Sequence, residues 1–297
     1  MAITHELADQ VANTIGVRLR VESARSVGGG SINSSYRISD TAGLTYFLKL
    51  NTAASLEMFE AEQEGLRALG GPDCLKVPQP VACGVAGDAA FLMLEWLELS
   101  GHERGALESL GQGLAQLHRV TQDRFGWHRD NTIGGTPQIN HLDDNWVRFY
   151  RERRLKYQLE RAAANGYGGM LQKKGERLLE KFPQLFAAYS PRPSLLHGDL
   201  WGGNWGVTVD AQPAIFDPAV YFGDREADMA MTRLFGGFGP EFYRAYQAAW
   251  PLDDGFDIRQ HLYNLYHVLN HLNMFGGGYL AQAERMADKL LAELDHC

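Results

Sequence analysis

Long apolar runs are missing from this chain: none approaches the roughly 20 residues of a membrane-spanning helix, so no membrane partner is expected. Cysteine is scarce. Cys74, Cys83 and Cys297 are odd in number and show no CxxC spacing. Such thiols suit a reduced, cytoplasmic setting better than a disulfide framework or a thiolate metal site. Positive charge is in deficit, with 28 Lys and Arg against 36 Asp and Glu and a net charge of −8. Nucleic-acid surfaces draw on clustered Lys and Arg, so nucleic acid is not an expected partner, although a local basic pocket for nucleotide phosphates is compatible with this balance. No internal repeat or low-complexity segment is evident. The opening "MAITHELADQVANTIG" reads as an amphipathic helix without the apolar core of a signal peptide.

What is present is an ordinary globular composition: 297 residues, 45% hydrophobic and 22% charged, enough for one large domain or two joined lobes. "VRLRVESARSVGGG", "SINSSYRISD" and "LTYFLKLN" alternate like strands, and "SLEMFEAEQEGLRALG" has helical spacing. "VPQPVACGVAGDAAFLMLEWLEL" reads as two more strands, the second apolar enough to be buried on both faces. Five strands with one helix inserted after the third are therefore expected in residues 1–97. Helical patterns dominate 98–297, broken by short strand-like runs at "PSLLHGDL", "WGVTV" and "PAIFD".

The chemistry-bearing residues follow this order. "GGGSINSSY" lies between two strands, unlike loops that hold phosphate at a helix N-terminus. A glycine-rich turn of this kind can fold over a nucleotide and offer backbone N–H groups to its phosphates. Lys49 sits in the strand "YFLKL" on the face of Phe47 and Asn51, and Glu62 falls on the inward stripe of the following helix, where an acid needs a cationic partner. In "LLHGDLWGGNWG", Asp199 and Asn204 have the spacing of a kinase catalytic loop: one accepts a hydroxyl proton and the other binds magnesium. Glycine replaces the arginine usual after the histidine. Asp217, ending the strand "AIFD", stands where a second magnesium-binding aspartate would. Together these residues point to phosphoryl transfer.

The stretches "LLHGDLWGGN", "FDPAVYFGDREADMAMTRLFGGF", "YNLYHVLNHLNMFGGGYL" and "FEAEQEGLRAL" make the chain resemble the fructosamine/ketosamine-3-kinase family, over essentially its whole length. That family lies within the protein-kinase-like group that includes aminoglycoside and choline phosphotransferases. The resemblance implies an α+β, bilobal protein-kinase-like fold with a small five-stranded antiparallel N-lobe and a larger, mainly helical C-lobe, ATP and Mg2+ lying in the cleft. It implies that Gly28, Gly29, Gly30 and Ser31 cover the ATP phosphates and that Lys49 pairs with Glu62. Glu95, Trp96 and Leu97 would form a hinge whose backbone binds adenine, Asp199 would be the proton acceptor, and Asn204 and Asp217 would hold magnesium. The implied reaction moves the γ-phosphoryl group of ATP to the 3-hydroxyl of a ketosamine carried by a small amine or a protein lysine. The phosphorylated adduct is unstable, hence deglycation. Some members carry a cysteine in the glycine-rich loop; here that residue is Ser31, and redox-linked dimerisation is not carried over. A monomer or weak dimer is expected.

Other residues admit two readings. Trp201, two positions after Asp199, offers a flat ring to a sugar face or a cationic amine, whereas Trp205 suits packing. Asn264, His267 and His271 share a helix face: either a satisfied polar face or a wall of the sugar pocket. The His267 and His271 spacing could suit a metal, but the HExxH pattern and a third ligand are missing. Asp224 suits a helix N-cap, which accounts for the acids of "DREAD", with a bracing role for Asp228 as the kinase-like alternative. His128 and Asp130 lie in an irregular loop. Two rival functions are compatible with parts of this pattern: a phosphotransferase of the same fold acting on an aminoglycoside, choline or simple sugar, and an inactive kinase fold used for binding. The second requires loss of Lys49, Asp199, Asn204 or Asp217, and all four are present.

Overall fold

The alternating runs near the start fold into a five-stranded antiparallel sheet. The computed structural model describes residues 2–28, 32–100 and 105–296. In chain order it begins with α1 (His5–Ile15), β1 (Leu19–Ser26), β2 (Ser34–Asp40), β3 (Thr45–Thr52), α2 (Leu56–Gly70), β4 (Pro80–Ala86), β5 (Ala89–Glu95) and the short β6 (Leu99–Ser100). The sheet order is β1-β2-β3-β5-β4, with every neighbour antiparallel. Strand periodicity divides its side chains between two faces. On one, Ile38, Leu48, Leu50, Phe91 and Met93 pack with Leu7 and Val11 of α1. The alternation of β3 then sends Phe47, Lys49 and Asn51 to the other face. There α2 packs on β4 and β5, burying Phe59, Leu66 and Leu69.

The chain continues as α3 (Ala106–Leu117), β7 (Asn131–Ile133), β8 (Thr136–Gln138), α4 (Trp146–Tyr150), α5 (Lys156–Ala164), α6 (Met170–Lys181) and β9 (Ser194–Leu196). It then forms β10 (Trp205–Thr208), β11 (Pro213–Ile215), β12 (Tyr221–Gly223), α7 (Glu226–Leu234), α8 (Pro240–Ala249), α9 (Phe256–Phe275) and α10 (Leu280–Asp295). Two compact units result, residues 1–106 with 203–218, and residues 107–202 with 219–297. The 203–218 segment joins the first unit because β10 pairs with both β11 and β6, and Ala214 bridges to Lys76.

Helix α6 has no counterpart in the sequence reading. Its buried stripe is only Leu171, Gly175 and Leu178, and the glycine contributes closeness rather than hydrophobicity: a Cβ there would stand 2.7 Å from a Leu159 methyl. One π-helical turn, Arg151–Leu155, joins α4 to α5. Among the described residues no helix is long and apolar enough to cross a membrane.

Helix α7, which carries Asp228, is locked to α9 by a buried ion pair. Arg259 donates Nε to Glu226 Oε2 at 2.7 Å and an Nη to Oε1 at 2.9 Å, and also reaches Asp253. Removing one partner of a buried pair strands the other charge in a poorly solvating medium. Arg259→Ala is therefore expected to lower the unfolding free energy by about 3–5 kcal/mol, read as a fall in the urea midpoint at unchanged slope.

Candidate active site

The first unit gathers the charged residues. Lys49 is held in register opposite Ser35 on one side and Leu92 on the other. One helical turn after Phe59, Glu62 meets the Lys49 ammonium at 2.6 Å, both side chains being nearly buried. Asp217 closes on the same ammonium. Its route there is set by the β10–β11 hairpin. Trp205 pairs with Ile215, so the ladder continues to Asn204, whose carbonyl accepts the Phe216 N–H at 3.0 Å and whose side-chain amide donates to the Asp217 carbonyl at 3.3 Å. Two residues thirteen positions apart are thereby brought side by side. Asp217 adopts a left-handed φ of 56°, a conformation that Asp tolerates better than most residues. Burial pulls the Lys49 pKa down, but Asp217 and Glu62 outweigh it and the ammonium stays charged. Burial pushes the Glu62 carboxyl up, with Asp217 adding to that and Lys49 opposing it.

Among the described residues no group of three His, Cys, Asp or Glu side chains is arranged to hold a metal. Asn204 and Asp217 instead offer an amide and a carboxylate oxygen, hard donors of the kind Mg2+ takes when substrate phosphates and water complete its shell. This donor set fits the ion.

Glu95 ends β5, donates its N–H to the Gln79 carbonyl at 2.8 Å and pairs with Lys76 through its carboxylate. Trp96 stacks near Phe47, under the Arg37 guanidinium, and donates its indole N–H to Glu98 at 2.8 Å. Leu97 follows, half-buried. Gly28 is exposed, while Gly29, Gly30 and Ser31 lie outside the described residues.

The second unit holds the catalytic-type loop. β9 pairs with β12, Leu196 against Tyr221, and the ladder runs on to the His197 carbonyl, which accepts the Ala219 N–H at 2.9 Å. Gly198 has φ 83°, and a Cβ there would overlap the Ala219 carbonyl oxygen. That contact is the physical reason for glycine where kinases usually have arginine. Asp228 braces the loop. Its carboxylate accepts the N–H groups of His197 at 2.7 Å and Gly198 at 2.8 Å, with His118 Nε2 at 3.1 Å. His118 in turn meets the Tyr246 hydroxyl at 2.8 Å. Burial would push the Asp228 carboxyl up; the His118 hydrogen bond, the His118 and His197 imidazoles and the Gly198 amide hold it below its usual value. Helix α7 starts at Glu226, one residue later than an Asp224 cap requires, yet Asp224 still accepts the Glu226 N–H at 3.0 Å, along with the Tyr189 and Tyr263 hydroxyls.

Asp199, half-buried, receives the Trp201 N–H on its carbonyl at 3.1 Å. Trp201 is 37% exposed and stands edge-on to Phe235, while Trp205 is buried in β10. Asn264 and His267 are buried on α9, and Asn264 Oδ1 and His267 Nδ1 have no hydrogen-bond partner in the protein. Burial lowers the His267 pKa to about 3, with His271 contributing, so the ring is neutral. Asp130 is used structurally: it accepts the Asn140 N–H at 2.7 Å beside the β7–β8 hairpin. His128 packs its ring on Trp127.

His118, Tyr246 and Gln138 escaped the sequence reading. Gln138 donates to the Ala219 carbonyl at 3.1 Å and accepts from Tyr266 at 2.9 Å, supporting the loop from behind. His118 left a usable signal, since it falls four residues after Leu114 on the apolar stripe of α3, where a polar side chain needs a partner.

The sheet with its inserted helix, the strand lysine held by a helix glutamate and the braced HxDxxxxN loop define a protein-kinase-like phosphotransferase. Solved structures agree at the level of fold: an aminoglycoside phosphotransferase covering 98% of its own chain and 96% of this one superposes with TM-score 0.65 at 14% identity. The family model described as fructosamine kinase matches residues 3–293, and the chain belongs to that family. A Synechocystis sp. protein named "probable ketoamine kinase" is 43% identical over 96% of both chains. The chloroplastic protein-ribulosamine 3-kinase of Arabidopsis thaliana is 39% identical over 95% of this chain and 86% of its own. A Thermobifida fusca crystal structure with a provisional fructosamine-3-kinase name is 30% identical, covers 98% of this chain and 100% of its own, and has TM-score 0.86.

Because the Asp228 pKa is lower folded than unfolded, its stabilisation is present above the unfolded value, about 3.9, and is lost as pH falls through the folded one. Asp228→Asn is expected to flatten the acid limb of the stability–pH curve, measured by denaturant titration between neutral and acid pH. A variant that keeps the wild-type acid limb contradicts this account.

Proposed function

We propose that this chain transfers the γ-phosphoryl group of ATP to the 3-hydroxyl of a ketosamine, a fructosamine, ribulosamine or erythrulosamine carried on a small amine or a protein lysine. The observation that carries the reading is Asp199 standing on a loop whose backbone is fixed by a buried carboxylate. The names of the similar ketoamine and ribulosamine kinases supply the substrate class. A cytoplasmic setting and action as a monomer or weak dimer belong to the same reading.

In this scheme Lys49, aimed by Glu62, engages the α- and β-phosphates, residues 28–31 lie over them, and the backbone of Glu95 to Leu97 meets adenine. Asn204 and Asp217 would hold Mg2+, which when bound neutralises phosphate charge. Asp199 accepts the proton of the 3-hydroxyl as that oxygen bonds to the γ-phosphorus; the bond from phosphorus to the β-bridging oxygen breaks and ADP leaves. Trp201, Asn264, His267 and His271 contact the acceptor. Catalysis rests on positioning and charge neutralisation, with no covalent intermediate. The aminoglycoside alternative draws on fold alone.

Incubation with Mg-ATP and a panel of lysine-linked ketosamines is expected to give a sugar 3-phosphate, located by phosphorus NMR and mass spectrometry. Asp199→Asn is expected to lower kcat by about 10²–10⁴-fold, the usual share of a positioned base, while nucleotide affinity measured by titration stays close to wild type. Product on aminoglycosides and on no ketosamine would refute the assignment.

A further inference from the structure

Asn264, His267, His271 and Phe275 follow one another at helical spacing along α9, and their exposure rises outward. Asn264 and His267 are buried, His271 is half-buried and Phe275 is 52% exposed. Around His271 the rings close in, with centroids at 5.0 Å for Phe235, 5.5 Å for Phe275 and 5.2 Å for Tyr279. Trp201 extends the group, edge-on to Phe235 at 6.4 Å. Phe235 is 40% exposed. Single exposed apolar residues are ordinary, but a contiguous group beside a catalytic loop is not. The protein holds it there by backbone contact. Gly237, with φ 96°, comes so near Gly202 that a Cβ would stand 2.6 Å from its Cα, and this seats Phe235 against Trp201.

The imidazole at the centre has a defined polarity. His271 Nδ1 lies 2.8 Å from the His267 carbonyl, which can only accept, so Nδ1 carries the proton. Burial lowers the His271 pKa against the pull of that hydrogen bond, and the neutral ring keeps a lone pair on Nε2.

We propose that Trp201, Phe235, His271, Phe275 and Tyr279 form an aromatic cage for the protonated secondary amine of the acceptor and the first methylenes of the arm that carries it, with His271 Nε2 accepting an ammonium N–H. The proposal rests on the ketosamine reading above. In a ketosamine the amine is on C1, two carbons from the 3-hydroxyl, so it must bind close to the proton acceptor. Trp201 meets that requirement, being in the same loop as Asp199, with its backbone N–H donated to the Asp199 carbonyl at 3.1 Å. Ring faces attract an alkylammonium without neutralising it. The outer rings are open to solvent, so the carrier arm can leave the site whether it ends as a small amine or continues into a protein lysine. At the inner end, Asn264 Oδ1 and His267 Nδ1, buried and without protein partners, remain for sugar hydroxyls.

The test uses N-methylbutylammonium chloride as probe and butyl methyl ether as its neutral counterpart, with binding followed by tryptophan fluorescence. The wild type is expected to bind the ammonium and to prefer it over the ether. The double variant Phe235→Leu/Phe275→Leu, altered only at exposed positions, is expected to bind it about 5–30-fold more weakly, the span of lost cation–π attraction. The kcat/KM ratio for a ketosamine over its N-acetyl derivative, which is neutral, should fall by a similar factor. Equal binding by wild type and variant, no ammonium binding by the wild type, or equal binding of ether and ammonium overturns the cage. If the ammonium binds as expected but the wild type phosphorylates no ketosamine, the cage stands and the ketosamine reading fails.

Discussion

A single buried carboxylate fixes the catalytic loop. Asp228 is nearly inaccessible to solvent, and an anion there is tolerable only because two backbone N–H groups and one imidazole turn towards it. The donors matter more than the charge. Because they belong to the backbone of His197 and Gly198, the carboxylate fixes main-chain direction just before Asp199, whatever side chains surround the loop. His118 cannot rotate away, since its other nitrogen is engaged by Tyr246, and Arg225 donates to that same hydroxyl at 3.1 Å. Helices α3, α7 and α8 thus converge on one short loop.

The two units solve opposite electrostatic problems. In the first, one buried ammonium is shared by two carboxylates. In the second, the stripe along α9 is kept neutral: burial takes His267 down to about 3 and lowers His271 as well. Under the proposed cage, a protonated imidazole there would repel the cationic acceptor and would lose the lone pair that receives its N–H. On that reading, neutrality serves this unit as charge serves the other.

The pairing of Lys49 with Glu62 was legible because strand alternation and helix periodicity say which way each faces, while Asp199, Asn204 and Asp217 stood out because phosphoryl transfer calls for those residue types at that spacing. The five strands and their inserted helix were legible for the same reason of period. What stayed hidden depends on contacts between distant segments. Asp228 could be read either as a helix-terminal acid or as a brace, because its partners are His118, 110 positions away, and loop amides whose direction only folding reveals. The return of residues 203–218 to the first unit comes from pairing with two residues of β6, too short a strand to announce itself. Helix α6 was lost because a glycine occupies the middle of its stripe. Gly198 showed as a departure from the kinase pattern, but its cause, a backbone crossing at Ala219, needs coordinates.

That crossing and the contact of Gly237 with Gly202 have a common consequence. At Gly198 and at Gly202 the loop lies directly against other main chain. These main-chain contacts constrain where Asp199 and Trp201 stand. Trp201, Phe235 and Phe275, all more than a third exposed, contribute little to the core and can change without moving Asp199. On the proposed reading, a loop held in this way can keep its chemistry while its rim changes. Enlarging Gly198 or Gly237 would move main chain and disturb Asp199 and the nearby rings together, so these glycines are more constrained than the aromatic residues beside them.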